Sequence, residues 1–564
     1  MTSQEAVRAA NALLDAGRLE EAESAWQAIV AANPTDFDAV HLLAYVIARR
    51  GRTAESLALL DRAVAGAPQR PAIRLSRAFA LNSLGRLADA ASDFEAVVAA
   101  EPRNVVALDN LGLVQKGLGR RAAAEDCHRR ALAVDPRYVP ALNNLGNLLR
   151  EQDRVAESLD CIHRALEAEP GNGVALNNLG RLLHREGRLG DALDHYAKAA
   201  AALPRTAAVR VNWANALLDD GDLAAARERY DEALRISPTM ADALYGRAHV
   251  DLREGRFKEG WDGYEARFDT SWLAGVRKPP PLPRLDRTNL GDARRVAVWA
   301  EQGLGDQLLY ATLLPELARP GLTAVVEVDP RLAGAYRRAF PGMEFVPRDD
   351  WRAFETCDHQ IPIASLARLF RPTRESFEAQ PKALLQADPE RAREMREKLG
   401  PGRWIAVAWR SPQGGHPGSR RWLAERKSMP MDLLAPLTDV PGVRLLDLQF
   451  GDVDTERRGF DARHPGRIAR LPGLDTTNDL EGVLAALQAC ERVVTTSNSV
   501  AHLAGASGRP TWLVHRESHA PFHYWVPGPD GRSLWYPSVE VVSDAGWRWE
   551  DAVDAVRTRL EAGA

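Results

Sequence analysis

The sequence lacks a basic block, a long apolar run and any cluster of cysteines. Lysine and arginine total 73 against 77 acidic residues, a formal net charge of −4, and no basic stripe breaks the balance. Nucleic acid is therefore not an expected partner, because binding phosphates needs an electrostatic footprint. No apolar stretch reaches the length that crosses a bilayer. The opening segment, MTSQEAVRAANALLDAGRLEEA, has no basic patch leading into an apolar core. No secretory leader is expected, and the cytoplasm is the expected compartment. The four cysteines, Cys127, Cys161, Cys357 and Cys490, show no CxxC spacing, so no zinc site is expected. Cys127 and Cys161 read as small buried residues of stacked helices, reduced as that compartment requires.

What is present is periodic. Gly17, Gly51, Gly85, Gly119, Gly187, Gly221 and Gly255 fall on a 34-residue period, with Asp153 in the one gap. Pro34, Pro68, Pro102, Pro136, Pro170, Pro204 and Pro238 keep the same period. Small residues follow five places after each glycine position: Ala22, Ser56, Ala90, Ala124, Ser158, Ala192 and Ala226. Bulky ones often stand four places further on: Trp26, Leu60, Phe94, Ile162, Tyr196 and Tyr230. Each unit reads as a helical hairpin. Glycine turns the chain after the first helix, the small residue admits close approach, the bulky residue fills the gap to the next hairpin, and proline ends the second helix. This pattern resembles the tetratricopeptide-repeat (TPR) family over residues 3–270, whose repeat length is the same. The resemblance implies a stacked superhelix with a concave groove.

Asn110, Asn144, Asn178 and Asn212 recur at one position of consecutive first helices. Amides offer donors and an acceptor to an extended peptide backbone, and the row resembles the asparagine ladder of the O-GlcNAc transferase family. Peptide binding is the expectation; hydrogen bonds between helices are the alternative. Residues 243–268 keep the period and add Trp261, Tyr264 and Phe268, as a capping repeat that docks on a further domain would.

The expected organisation is a repeat array over 1–270, a proline-rich linker over 271–295, two small α/β lobes over 296–387 and 388–545, and a terminal helix over 546–564. VAVWA at 296–300 leads through EQGLGD into a helix, a strand–turn–helix unit. WIAVAW at 404–409 opens the second lobe, and ERVVTTSNSVAHLAGASGRPTWLV at 491–514 reads strand, turn, helix, strand.

EQGLGD with LLP at 313–315, TTSNSVAHLAG with GRPTW, WRSP at 409–412, RKSMPMDLLAPL at 426–437 and LWYPS at 534–538 resemble the heptosyltransferase-like family of bacterial transferases, in its TPR-fused version. That resemblance implies an α-solenoid followed by a GT-B fold of two Rossmann-like lobes, acceptor side first and nucleotide-sugar donor side second. The activity it implies is inverting, metal-independent transfer of a sugar to Ser or Thr of a polypeptide held by the arm. TPR–GT-B fusions include flagellin glycosyltransferases, which implies a flagellin acceptor and a CMP-activated nonulosonic acid such as pseudaminic acid. No cofactor beyond the nucleotide-sugar co-substrate is implied.

Thr496, Ser497, Asn498 and Ser499 precede a helix bearing His502, where unpaired N–H groups and the helix dipole suit a phosphate; the alternative is an ordinary N-capped helix, since Ser and Asn are the usual caps. Arg410 and Lys427 would neutralise the leaving nucleotide, solvated surface charges being the alternative, and Gln449 and Phe450 could contact its base, a structural aromatic being the alternative. The family's matching turn often carries an acid where this chain has Ser or Asn. On the acceptor side Gln302, Gly303 and Gly305 free the turn, and Asp306 is the expected base, its alternative role being a first-turn helix aspartate. Asp452-Val453-Asp454 reads as a solvated loop, and His515, His519 and His523 carry no zinc expectation because Pro521 interrupts them. The competing functions are a non-catalytic TPR scaffold with a degenerate transferase domain, and a transferase acting on lipid or polysaccharide.

Overall fold

A computed structural model describes residues 3–270, 280–301, 303–411, 421–515, 522–543 and 548–563. Gln302, His519 and Pro521 lie outside the described residues. Sixteen α-helices between Ser3 and Tyr264 form a TPR solenoid, followed by a region of parallel sheets and helices. The chain divides into two compact units, Met1–Leu182 with Asp194–Pro204, and Leu183–Leu193 with Arg205–Ala564.

The repeat chemistry expected from the sequence is realised residue by residue. Every phased glycine sits at positive φ, between 71° at Gly17 and 95° at Gly221, and Asp153 adopts 66° in the place of the missing glycine. A Cβ in that region costs about 1–2 kcal/mol, which is why glycine recurs there. Ala22, Ser56, Ala90, Ala124 and Ser158 in the first unit have no exposed surface. The two serines satisfy their hydroxyls by donating to Ala44 O and Gly146 O, each at 2.7 Å. The series of bulky residues has further members. His128 fills the fourth repeat and Tyr264 the last, both buried. In the second unit, Gly246 leaves room for Tyr230: an added Cβ would lie 2.4 Å from that ring.

The sheets occupy the second unit. β1 (Arg295–Trp299), β2 (Thr323–Val328), β3 (Glu344–Pro347) and β4 (His359–Pro362) form a parallel sheet in the order β3-β2-β1-β4. β5 (Arg403–Ala408), β6 (Val443–Asp447), β7 (Ile468–Ala469), β8 (Arg492–Thr495), β9 (Thr511–Val514) and β10 (Val539–Val542) form a second, in the order β10-β9-β8-β5-β6-β7. That is the 3-2-1-4-5-6 order of doubly wound nucleotide-binding sheets. The first sheet holds the same order without its last two strands. Its inner strands β1 and β2 are buried on both faces, as parallel strands covered by helices must be, while the edge strand β3 is partly exposed.

The described part of the proline-rich segment is not a free spacer. Leu285 N donates to Gln360 O at 2.8 Å and Gln360 N to Pro283 O at 2.9 Å, so the segment runs beside β4. The last repeat is fixed just as firmly. Trp261 and Tyr264 share one hydrophobic core with Leu308 and Tyr310 of the first sheet's layer and with Trp525, Trp535 and Tyr536 of the segment between β9 and β10. Trp261 Nε1 donates to Arg371 O at 2.9 Å. Among the described residues, no helix is long and apolar enough to cross a membrane.

Candidate functional site

In open parallel sheets ligands gather outside the carboxyl ends of the strands, where the strand order reverses. Here those points lie between β1 and β4 and between β5 and β8. The first carries the turn to helix Leu304–Ala311, the second the turn to helix Ser499–Ala506. The two helices touch: a Cβ on Gly305 would lie 3.1 Å from His502 Cδ2. Glycine is required there for closeness, not for its backbone angle.

Asp306 stands in the first turn of its helix, and the Gly303 N–H, at the cap, lowers its pKa. This is the reach-back of a capping carboxylate, the alternative role the sequence allowed. A second property goes beyond capping. Burial, then the neighbouring Glu301 carboxylate, push the Asp306 pKa up to about 7, with Gly303 N–H and Arg267 pulling the other way. Glu301, Asp306, Gln307, Tyr310, Ile363 and Ala364 line one narrow crevice at the end of β1 and β4. A carboxyl that titrates near neutrality has the proton affinity to take a proton from a hydroxyl, but the crevice in this conformation is too narrow to hold a water.

Sequence reasoning missed what holds this turn. Glu301 accepts from Arg267 Nε at 2.5 Å and Nη2 at 2.8 Å, and from Ala364 N at 3.2 Å. Arg267 has no exposed surface and belongs to the 3-10 turn Glu265–Asp269 that closes the last repeat. Its only signal in the sequence was a position inside the capping segment.

On the other side of the touching helices the expected donor turn is largely filled by its own side chains. Asn498 Oδ1 accepts from Val500 N at 2.9 Å and Ala501 N at 3.2 Å, an N-cap in the place a phosphate was expected. Ser497 Oγ accepts from Trp525 Nε1 at 2.9 Å. Thr496 is buried, and Ser499 is half-buried. Among the described residues no acceptor meets the N–H groups of Ser497, Asn498 or Ser499. His502 is corrected more strongly. Its ring lies among Tyr524, Trp525 and Tyr536, with Nδ1 3.2 Å from Tyr536 Oη, and burial pushes its pKa down to about 3. It is a buried, neutral packing residue on the second helix where it meets Gly305 of the first, not an open donor contact.

Gln449 is likewise committed. Its Oε1 accepts from Trp409 N and Arg410 N at 2.9 and 2.8 Å, and its Nε2 donates to Phe450 O at 2.8 Å. Its second amide hydrogen goes to Arg410 O at 3.3 Å, so the side chain ties the ends of β5 and β6 together and has no group left for a nucleobase. Phe450 packs half-buried against the core. Arg410 is ion-paired with Glu456, which also accepts from Trp409 Nε1 at 2.8 Å. Lys427 Nζ sits 4.6 Å from the centre of the Phe522 ring. A cleft of about 330 Å³ opens beside Arg410, lined also by Ser428, Met429, Met431, Glu456 and Arg463. Asp454 opens a helix on the surface and pairs with Arg457. Among the described residues no cluster of His, Cys, Asp and Glu has the arrangement to hold a metal ion.

The asparagines of the arm bond mainly within the arm. In the first unit, Asn144 Nδ2 donates to both Asp109 carboxylate oxygens at 3.1 Å, and the same carboxylate meets His128 Nδ1 at 2.7 Å. Asn110 Nδ2 donates to Val106 O of its own helix at 2.8 Å, and Asn178 is buried. Asn212, in the second unit, is half-buried. For Asn144 the alternative, hydrogen bonds between helices, is the one realised. Burial pushes the Cys127 and Cys161 thiols up to about 11, so both are inert packing residues.

Comparison with known proteins agrees with the arm. A tetratricopeptide-repeat family model matches residues 7–71, 51–105, 110–160 and 211–266, and a second matches 138–205. Protein FlbA of Caulobacter vibrioides is 29% identical over 344 residues, covering 57% of this chain and 55% of FlbA. The chain thus spans little more than half the length of that relative. A tetratricopeptide repeat protein from Parabacteroides merdae shares 21% identity with a TM-score of 0.38, over 42% of this chain and 93% of its own. A thermophilic TPR protein of Thermus thermophilus shares 26% identity with a TM-score of 0.29, over 32% and 99%.

Proposed function

We propose that this chain is a protein O-glycosyltransferase of the GT-B type, which moves a sugar from a nucleotide donor to a Ser or Thr hydroxyl of a polypeptide. The observation that carries the reading is Asp306. It stands at the reversal point of one parallel sheet, titrates near neutrality, and lies on a helix that abuts the reversal-point helix of a second sheet. Asp306 takes the proton from the acceptor hydroxyl, the oxygen attacks the anomeric carbon, and the sugar–phosphate bond breaks to release the nucleotide. One displacement inverts the anomeric centre. The N–H groups of Ser497–Ser499 receive the phosphate, with Arg410 drawn from Glu456 to assist. TPR repeats bind polypeptides, and the arm supplies the acceptor; flagellin and a CMP-activated nonulosonic acid are the first pair to test.

Asn498 capping its own helix and the burial of His502 favour a second reading, a scaffold whose transferase region has lost its donor. A thermal-shift panel of UDP, GDP, ADP and CMP sugars separates the two. A ligand that binds the folded state raises its melting temperature. The transferase reading expects one nucleotide class to do so, and a panel that leaves the melting temperature unmoved contradicts it.

A further inference from the structure

We propose that Arg267, from the closing turn of the last repeat, is a positioning residue for Asp306, acting through Glu301. The inference rests on the reading of Asp306 as the base. It makes the end of the arm a structural part of the reaction centre, not only a holder of the acceptor.

The geometry is specific. Arg267 is fully buried, and each of its nitrogens is engaged. Nε and Nη2 grip Glu301, Nη2 also donates to Ser365 Oγ at 2.7 Å, and Nη1 donates to Tyr264 O at 3.0 Å and Glu265 Oε1 at 3.1 Å. Its guanidinium lies 4.2 Å from the centre of the Phe268 ring and 4.7 Å from that of Tyr264. Glu301 sits in the turn that leads from β1 to Asp306 and lines the same crevice. A buried fork of this kind fixes a carboxylate in position through two parallel bonds and sets a positive charge against it. Two carboxylates in one crevice cannot both ionise freely. Arg267 fixes Glu301 beside Asp306, where the Glu301 charge raises the Asp306 pKa and that of Arg267 lowers it.

The charged and titratable groups around Asp306 are few. Glu301 and Arg267 form the ion pair beside it. Tyr310 stands on its own helix, Tyr245 and Tyr264 on the last repeat, and Tyr524, Tyr536 and His502 on the second sheet's side. Burial holds the tyrosines well above their ordinary range, and His502 titrates at about 3. Neither the tyrosines nor His502 change charge between pH 4 and pH 9, which leaves the Arg267–Glu301 pair as the lever on Asp306 in that window.

The test needs no substrate. Melting temperature is followed from pH 4 to pH 9 for the full chain with and without Asp306→Asn, in four backgrounds: wild type, Glu301→Gln, Arg267→Lys and Arg267→Met. The pH at which the Asp306→Asn effect is half developed reports the ionisation of Asp306. Glu301→Gln removes the like charge, so the midpoint falls by roughly one pH unit. Arg267→Met removes a cation from the pair, so the last proton leaves later and the midpoint rises. Arg267→Lys keeps the charge and keeps the wild-type midpoint. A merely structural role lowers every melting temperature and leaves the midpoint alone, which overturns the proposal. If either Glu301→Gln or Arg267→Met does not fold, the other still carries an expected shift of the midpoint and decides. No pH-dependent effect of Asp306→Asn in wild type takes down the reading of Asp306 itself, and the proposal with it.

Discussion

Asp306→Asn is expected to make the protein more stable at neutral pH while abolishing transfer. The magnitude follows from the site. Asp306 has an ordinary carboxyl pKa of 3.8 when unfolded and about 7 when folded. The folded state therefore binds the proton more tightly. The native form is not penalised below pH 3.8, loses stability as pH rises from there to about 7, and loses no more above it. Each tenfold difference in proton affinity between the two states is worth about 1.4 kcal/mol, so the penalty approaches roughly 4 kcal/mol at pH 8 as an upper figure. Asparagine keeps an oxygen for the Gly303 N–H but adds an amide donor to the crevice, at a cost of about 1–2 kcal/mol. A net gain of about 2–3 kcal/mol at pH 8 remains, and at pH 4 the substitution is neutral or slightly harmful. Urea unfolding of the second unit at both pH values measures it. A variant equally destabilised at pH 4 and pH 8 would refute the reasoning, because it would mean that Asp306 is an ordinary helix cap. Stability withheld at a reaction centre is a familiar trade against activity.

The arm offers cleaner tests of packing. Gly119 has φ of 78°, so Gly119→Ala should cost about 1–2 kcal/mol. Asp153→Gly, at φ of 66°, should gain up to about 1 kcal/mol; chemical denaturation of the arm checks both. Gly246→Ala forces a methyl against Tyr230 and should cost about 1–3 kcal/mol, visible as a lower melting temperature. Asn144→Ala leaves the buried Asp109 carboxylate short of a donor and should cost about 1–3 kcal/mol in the absence of any peptide. An Asn144→Ala arm of unchanged stability would return the residue to the groove.

The contrast between the arm and the site shows what a single sequence can carry. The phased glycines state a backbone demand that no neighbour can alter, so Gly17 to Gly255 read correctly and even Asp153 could be placed by its phase. The strand–turn–helix segments around EQGLGD and TTSNS were legible for a similar local reason: apolar strands, small turn residues and a helix follow in order. The roles of side chains were less legible, because they depend on partners distant in sequence. Asn498 could leave its helix end open or cap it, and only the structure shows its own amide closing it. His502 reads as a polar residue on a donor helix until Trp525 and Tyr536 are seen to bury it. Gln449 stands at a strand end where a ligand contact is plausible, and only the pairing of β5 with β6 shows it spent on backbone. Arg267 and Glu301 were invisible as a pair, since nothing in the capping segment announces which turn its arginine will enter.

The central claim is that Asp306 moves a proton for a sugar transfer. Its most direct test is intact-mass spectrometry of a flagellin acceptor incubated with each nucleotide sugar and either wild type or Asp306→Asn. The account predicts that one donor adds a sugar mass with the wild type, and that Asp306→Asn binds this donor as well but adds none. Modification at an undiminished rate by Asp306→Asn, or none by wild type with any donor that binds, would contradict it.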